Sequence, residues 1–269
     1  MLACTHLLPY SSTSTGDQIE IKKAVITSAG KATRMRPISN VIPKGLLPVF
    51  KTFEGNKYPT PIIDLIIESL EGAGAHKFCF VVGTKNRLFI DYLFGRNVTF
   101  VFQDEPKGFG DAVLRAEEFV GAGPFFLHVD DDFLTGGYKE GAEIFKELDA
   151  DCLMFLSKVE NPKSYGVVET GEGKEMFSHH VFKIKGVEEK PQVPKSDLVA
   201  SGVYIFSQKI FSKLKQIKTD GELQLTYGID KLIKEEDKVY GMVLEKESWL
   251  GLGNPKDYFR TLNYSYTNL

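Results

Sequence analysis

Short apolar runs alternate with amphipathic stretches from Lys23 onward, and this alternation predicts strands and helices in turn. Ala24-Val-Ile-Thr27 has the character of a buried strand and leads into a loop containing glycine. Between Pro61 and Ala73, residues Ile62, Ile63, Leu65, Ile66 and Leu70 recur at helical spacing, with proline at the helix start. Phe78 to Val82 predicts a strand, and about Lys85 to Phe94 a helix whose apolar positions are Leu88, Ile90, Tyr92 and Leu93. Val98 to Phe102 follows as a strand, Asp111 to Val120 as a helix, and Pro124 to Val129 as a strand ending in three aspartates. A helix over 139–148 and a strand over 151–157 complete the first half. Strands separated by helices of this length imply βαβ units and a mostly parallel, right-handed sheet. After about Tyr165 the pattern changes: strand-like pieces at 165–170, 180–188 and 199–206 dominate, followed by helices near 207–216 and 222–235. The expected fold is therefore α/β, a Rossmann-like doubly wound mixed sheet with a smaller β-rich lobe. Residues 1–20, rich in Ser and Thr without periodicity, are expected as a flexible tail before a single domain over 21–269, its halves meeting near residue 158.

Composition narrows the class. The chain has 269 residues and a formal charge of −3, with 42% hydrophobic and 26% charged residues. These values suit a soluble globular protein with ample core. The charge balance lacks the basic excess of a nucleic-acid binder, and no run approaches the roughly 18 apolar residues that a membrane helix needs. The three cysteines, Cys4, Cys79 and Cys152, are far apart, and no Cys/His spacing suggests zinc. Buried, reduced thiols in a cytoplasmic protein are expected.

The candidate chemistry begins at Ser28-Ala-Gly-Lys-Ala-Thr-Arg-Met-Arg-Pro37, directly after the first strand. A loop there lies at the C-terminal edge of a parallel sheet, where such folds bind ligands. Small residues such as Ala29 and Gly30 let backbone N–H groups approach phosphate oxygens, and Arg34 adds a cationic fork. Lys44, in Val41-Ile-Pro-Lys-Gly-Leu-Leu-Pro48, offers a second positive charge.

These two segments resemble the signature loop of the sugar-1-phosphate nucleotidylyltransferases, G-x-G-T-R followed by P-K-x-L-L-P, and the resemblance extends from residue 23 to about 262. Within that family the chain looks most like the bacterial-type glucose-1-phosphate uridylyl- and thymidylyltransferases. The resemblance implies a nucleotide-diphospho-sugar transferase fold, with 21–158 as the nucleotide-binding half and 159–269 as the sugar-binding half. Gln103 and Gly108, in Gln103-Asp-Glu-Pro-Lys-Gly-Phe-Gly-Asp111, match the residues that contact the pyrimidine base. An amide offers both a donor and an acceptor to a pyrimidine edge. His128-Val-Asp-Asp-Asp-Phe-Leu-Thr-Gly136 resembles the strand end that carries the Mg²⁺ aspartate. Aligning the final glycines selects Asp131, and a register one residue shorter selects Asp130.

On the sugar side, Tyr165-Gly-Val-Val-Glu169 resembles the motif whose glycine backbone, here Gly166, meets a sugar hydroxyl. Val187-Glu-Glu-Lys-Pro191 resembles the motif in which Glu189 holds hydroxyls and Lys190 neutralises the sugar phosphate. Gly202, in Ala200-Ser-Gly-Val-Tyr204, falls on the sugar-pocket strand, and Gly221-Glu-Leu-Gln-Leu-Thr226 resembles a phrase of the uridylyltransferases. The family implies Mg²⁺ as cofactor, a nucleoside triphosphate (UTP or dTTP) and a sugar-1-phosphate (glucose-1-phosphate) as substrates, and a homo-oligomer.

The chain departs from the pattern at two positions. Ala32 replaces the second glycine of the loop, a mild change if the backbone there keeps φ < 0. Gly251, in Trp249-Leu-Gly-Leu-Gly-Asn254, stands where the family has its second Mg²⁺ aspartate. Asp130 or Asp132 is the available compensation. The other expectation is a catalytically weak, nucleotide-binding relative with a regulatory role.

Overall fold

The computed structural model describes residues 20–83 and 86–269; the expected tail up to residue 19, with Cys4, and the expected start of a helix at Lys85 lie outside these. Strand β1 (Lys23–Ser28) opens the chain and is followed by the hairpin β2 (Pro48–Phe53) and β3 (Asn56–Pro61), which leads into α1 (Ile62–Gly72). Next come β4 (Lys77–Gly83), α2 (Arg87–Leu93), β5 (Val98–Gln103), α3 (Phe109–Arg115) and α4 (Glu117–Val120). The single helix expected over 111–120 is thus broken at Ala116. In α2 the buried side chains are Phe89 and Leu93, while Leu88 and Tyr92 face outward. Phe89 sits four residues before Leu93 on one helical face and packs on Phe80, with ring centroids 6.0 Å apart.

The chain continues through β6 (Phe125–Val129), the short β7 (Asp132–Leu134), α5 (Tyr138–Glu147), β8 (Cys152–Lys158), β9 (Gly166–Met176), β10 (His179–Glu189) and β11 (Leu198–Phe206). Helices α6 (Lys209–Lys215) and α7 (Leu225–Lys234), strands β12 (Val239–Val243) and β13 (Trp249–Gly251), and α8 (Pro255–Asn268) close it. Helix α8 starts on a side-chain cap: Asp257 N–H donates to Asn254 Oδ1 at 3.0 Å, with Pro255 in the first turn.

Nine strands form one mixed sheet in the order β5-β4-β1-β6-β11-β8-β12-β10-β9. The β5-β4-β1-β6 portion is parallel, as expected from its βαβ connections. Strand β11 then inserts antiparallel between β6 and β8, so strands from either side of residue 158 share one continuous sheet. Successive residues of a strand point to opposite faces, and here both faces are covered. Ala24, Ile26, Phe80 and Phe126 pack with α1 and α5 on one side. Val25, Val81, Leu127 and Phe206 pack with α3, α6 and α7 on the other. Full burial on both faces explains why these strands read as unbroken apolar runs. Cys79 and Cys152 are buried and unbridged within them, and burial pushes the Cys79 thiol up to about 12.

Candidate active site

Strands β1, β5 and β6 end at Ser28, Gln103 and Val129, and a cleft of about 510 Å³ opens at that edge of the sheet. Ala29, Gly30, Arg34, Lys44, Gln103, Gly108, Asp130, Asp131 and Lys190 all line it. Gly166, Glu189 and Gly202 lie beyond that lining. Register places Gly166 directly opposite Glu189, next to Lys190.

The loop after β1 carries the first group. Gly30 has open space where a Cβ would stand, and its backbone needs no unusual conformation. No neighbouring protein atom requires glycine there. Ala32 differs from expectation: its φ is +48° and its ψ +33°, the left-handed region that favours glycine. The alanine accepts strain of about 1 kcal/mol, because the turn that projects Arg34 needs that conformation. Arg34 Nη2 lies 3.4 Å from the position a Cβ on Gly253 would take, and Asp131 Oδ2 lies 3.9 Å from it. The glycine therefore lets β13's end approach both charges. Leu252 N–H donates to Asp131 C=O at 2.7 Å and fastens that segment.

The acidic turn is held from both sides. Asp130 is 6% exposed, and its Oδ2 accepts from Ser28 Oγ–H at 2.6 Å and from Gly45 N–H at 3.2 Å. Asn86, which sequence reasoning passed over, donates to the Ser28 carbonyl and hydroxyl and ties α2 to the same corner. Asp131 instead pairs with Lys44. Burial pulls the Lys44 ammonium down, but Asp131, Asp130 and Asp132 together outweigh it and hold its pKa above the usual range. Burial, and then the Asp131 charge, push the carboxyls of Asp130 and Asp132 upward.

Behind the turn, the fully buried His128 sets its shape. Val129 C=O can only accept, so His128 Nδ1–H donates to it at 2.6 Å, and Nε2 accepts from Tyr138 O–H at 2.8 Å. Tyr138 Oη in turn accepts from Leu134 N–H at 3.2 Å. These bonds bracket Asp130 to Phe133, and burial pulls the imidazole down to about 4, leaving it neutral.

At the other end of the cleft, the buried Gln103 donates both N–H bonds internally, to Gly108 C=O at 3.0 Å and to Asp111 Oδ2 at 2.7 Å. A carboxylate and a carbonyl as partners fix the amide's orientation, so Oε1 is the atom left to recognise a ligand. The expected donor-and-acceptor role thus narrows to acceptor. Gly108 has φ +107° and ψ +169°, and a Cβ on it would stand 2.4 Å from Leu223 O. Its lack of a side chain is demanded by the 222–224 segment, which bonds across through Leu223 N–H to Lys107 C=O and Gly110 N–H to Leu223 C=O, each 2.7 Å.

The Lys190 ammonium lies 3.0 Å from Glu189 Oε1 and is largely exposed, while Glu189 Oε2 takes a 3.4 Å hydrogen bond from Thr226 Oγ1. Thr226 closes the Gly221–Thr226 phrase and was not singled out as a site residue. Its burial against Glu189 comes from the packing of α7 on β10, which no local pattern announces.

The pattern that defines the nucleotidyl transferase family matches residues 23–267. The chain belongs to that family. It is 29% identical over 243 residues to the "Low-salt glycan biosynthesis nucleotidyltransferase Agl11" of Haloferax volcanii, covering 87% of this chain and 63% of that one. It is 30% identical over 242 residues to a glucose-1-phosphate thymidylyltransferase of Streptomyces griseus, with the same two coverages. The chain therefore spans less than two thirds of the length of these relatives. A solved UDP-glucose pyrophosphorylase complexed with UDP-glucose has the same fold, with a TM-score of 0.82 at 24% identity over 93% of this chain and 100% of that one.

Proposed function

We propose that the chain transfers the nucleotidyl group of UTP, or of dTTP, to a sugar-1-phosphate, giving a nucleotide sugar and pyrophosphate. The observation that carries this reading is one cleft lined by Arg34, Lys44 and Asp131 at a cationic end, by Gln103 at a base-reading end, and by Lys190 from the second half of the chain. An acceptor at Gln103 Oε1 suits the N3–H of uracil or thymine and opposes cytosine, whose N3 is itself an acceptor. Relatives and neighbours named for glucose-1-phosphate and UDP-glucose support glucose-1-phosphate as the sugar substrate.

The sugar phosphate is already an anion, so no general base is needed for its oxygen to attack the α-phosphorus. Catalysis then consists of alignment and charge stabilisation. Lys190 holds the sugar phosphate while Glu189 and the Gly166 backbone take hydroxyls. Arg34 and Lys44 balance the triphosphate, and the open backbone at Gly30 lets its oxygens approach N–H groups. Among the described residues no three His, Cys, Asp or Glu side chains are grouped to hold a metal by themselves. That fits Mg²⁺, which takes one or two carboxylates and completes its shell with phosphates and water. Asp131 would hold it, and the ion would offset charge on the leaving pyrophosphate. Two buried, unbridged cysteines support a cytoplasmic setting.

A nucleotide-binding relative with weak turnover is the second reading, favoured by Gly251. Pyrophosphate release, assayed with UTP, dTTP, CTP and ATP against several sugar-1-phosphates, separates the two. Release with UTP and dTTP that stops on chelation is expected. Lys44→Ala should lower turnover by about 100-fold or more with the fold intact by circular dichroism; near-normal release from that variant would sink the assignment.

A further inference from the structure

The acidic turn sets three consecutive carboxylates against one lysine. Asp131 has Lys44, and Asp130 has the Ser28 hydroxyl and the Gly45 N–H. Asp132 has neither. The indole N–H of Trp249 lies close enough to influence it but is itself without a well-formed hydrogen bond.

Two glycines flank the Asp132 carboxylate. Its Oδ1 lies 2.9 Å from where a Cβ on Gly251 would stand, and its Oδ2 lies 3.0 Å from where one on Gly202 would stand. Strand register explains the first contact, since Gly251 pairs directly with Asp132 between β13 and β7. The carboxylate thus occupies the space that a side chain at position 251 would take.

We infer that Asp132 joins Asp131 in holding the divalent cation, a carboxylate on β7 standing in for one at position 251. The cation itself rests on the nucleotidyl-transfer reading; the choice of ligand rests on the geometry above. Hard carboxylate oxygens suit Mg²⁺ or Mn²⁺, and the remaining positions fall to water and phosphate. Gly251 is then a consequence of the relocation, because an aspartate there would meet Asp132 head-on.

The test titrates Mn²⁺ into the full chain without nucleotide, following free Mn²⁺ by electron paramagnetic resonance and the fluorescence of Trp249, the chain's single tryptophan. Asp132→Asn should weaken Mn²⁺ binding by at least about tenfold while the metal-free protein keeps or gains thermal stability, because a buried like charge is gone. Asp132→Ala should bind as poorly. The swap Asp132→Ala/Gly251→Asp, which clears room for the relocated carboxylate, should recover affinity to within about threefold of the parent, or roughly 0.6 kcal/mol. A purely structural role for Asp132 predicts no such rescue.

Mn²⁺ affinity of Asp132→Asn within about twofold of the parent would overturn the assignment, as would a swap no better than Asp132→Ala or a parent that binds no Mn²⁺ with or without UTP. Unchanged Mn²⁺ binding with a raised KM for the sugar-1-phosphate would overturn it in favour of a hydroxyl-binding role. A protein that binds Mn²⁺ through Asp132 yet releases no pyrophosphate would sink the transfer reading and leave this assignment standing.

Discussion

Gly108 is the point where the loop after β5, proposed to read the base, and the 222–224 segment meet backbone to backbone, and Gly108→Ala perturbs it by one methyl group. At φ +107° and ψ +169° the position belongs to a region that only glycine occupies with ease, so alanine there costs about 1–3 kcal/mol in backbone strain alone. The added Cβ would also stand 2.4 Å from Leu223 O and 2.7 Å from Leu223 N, both main-chain atoms that no rotamer change can move. Relief requires the half-exposed segment around Leu223 to shift, which stretches its two 2.7 Å hydrogen bonds to Lys107 and Gly110. At about 1 kcal/mol net for each bond, the total loss comes to roughly 3–5 kcal/mol.

Urea unfolding should show this as a lower midpoint with an unchanged slope. Gly108 C=O also anchors Gln103 Nε2, so the KM for UTP should rise at least about tenfold, equivalent to roughly 1.4 kcal/mol. An alanine variant within about 1 kcal/mol of the parent and with unchanged KM would refute the reasoning, since it would show the segment yielding freely.

Three further outcomes follow from single positions. Ala32→Gly relieves left-handed strain but adds freedom to the unfolded chain, so stability should change by less than about 1 kcal/mol; a larger loss in urea unfolding would contradict the φ of +48°. Gln103→Ala removes the acceptor and should narrow the preference for UTP over CTP in kcat/KM by about tenfold or more, whereas retained discrimination would move base reading elsewhere. His128 gives a pH dependence. Above about 6.5 both states hold a neutral imidazole; below it the unfolded chain takes up a proton that the folded chain refuses until about 4, so stability falls as pH falls through that window. The raised carboxyls of Asp130 and Asp132 act with the opposite sign. The parent must therefore be compared with His128→Gln: the stability difference between them should shrink by about 2 kcal/mol between pH 7 and pH 5, and a constant difference would argue against a buried neutral histidine.

Much of this protein was legible in the order of its residues. Apolar runs bounded by helices of fixed length specify parallel strands with both faces covered, and ligand chemistry at their C-terminal ends follows from that geometry. Gln103, Asp131 and Lys190 could be picked out because each lies in a short phrase at a strand end, and Lys44 because of the phrase that precedes β2. The hairpin of β2 and β3, with Pro48 paired to Pro61 at its open end, and the helix α8 lack that periodic contrast and went unread. Non-local placement decided the rest. That β11 slips between β6 and β8 depends on pairings between residues 40 to 81 apart in the chain, which local pattern does not encode. That Gln103 offers its oxygen depends on where Asp111 lies, and that Ala32 is strained depends on its turn. Gly251 read in isolation is a missing carboxylate. Only the pairing of β13 with β7 brings the Asp132 carboxylate to 2.9 Å from where a Cβ at 251 would stand, because a strand's register determines which side chains can share a space, and register belongs to the sheet rather than to either strand alone.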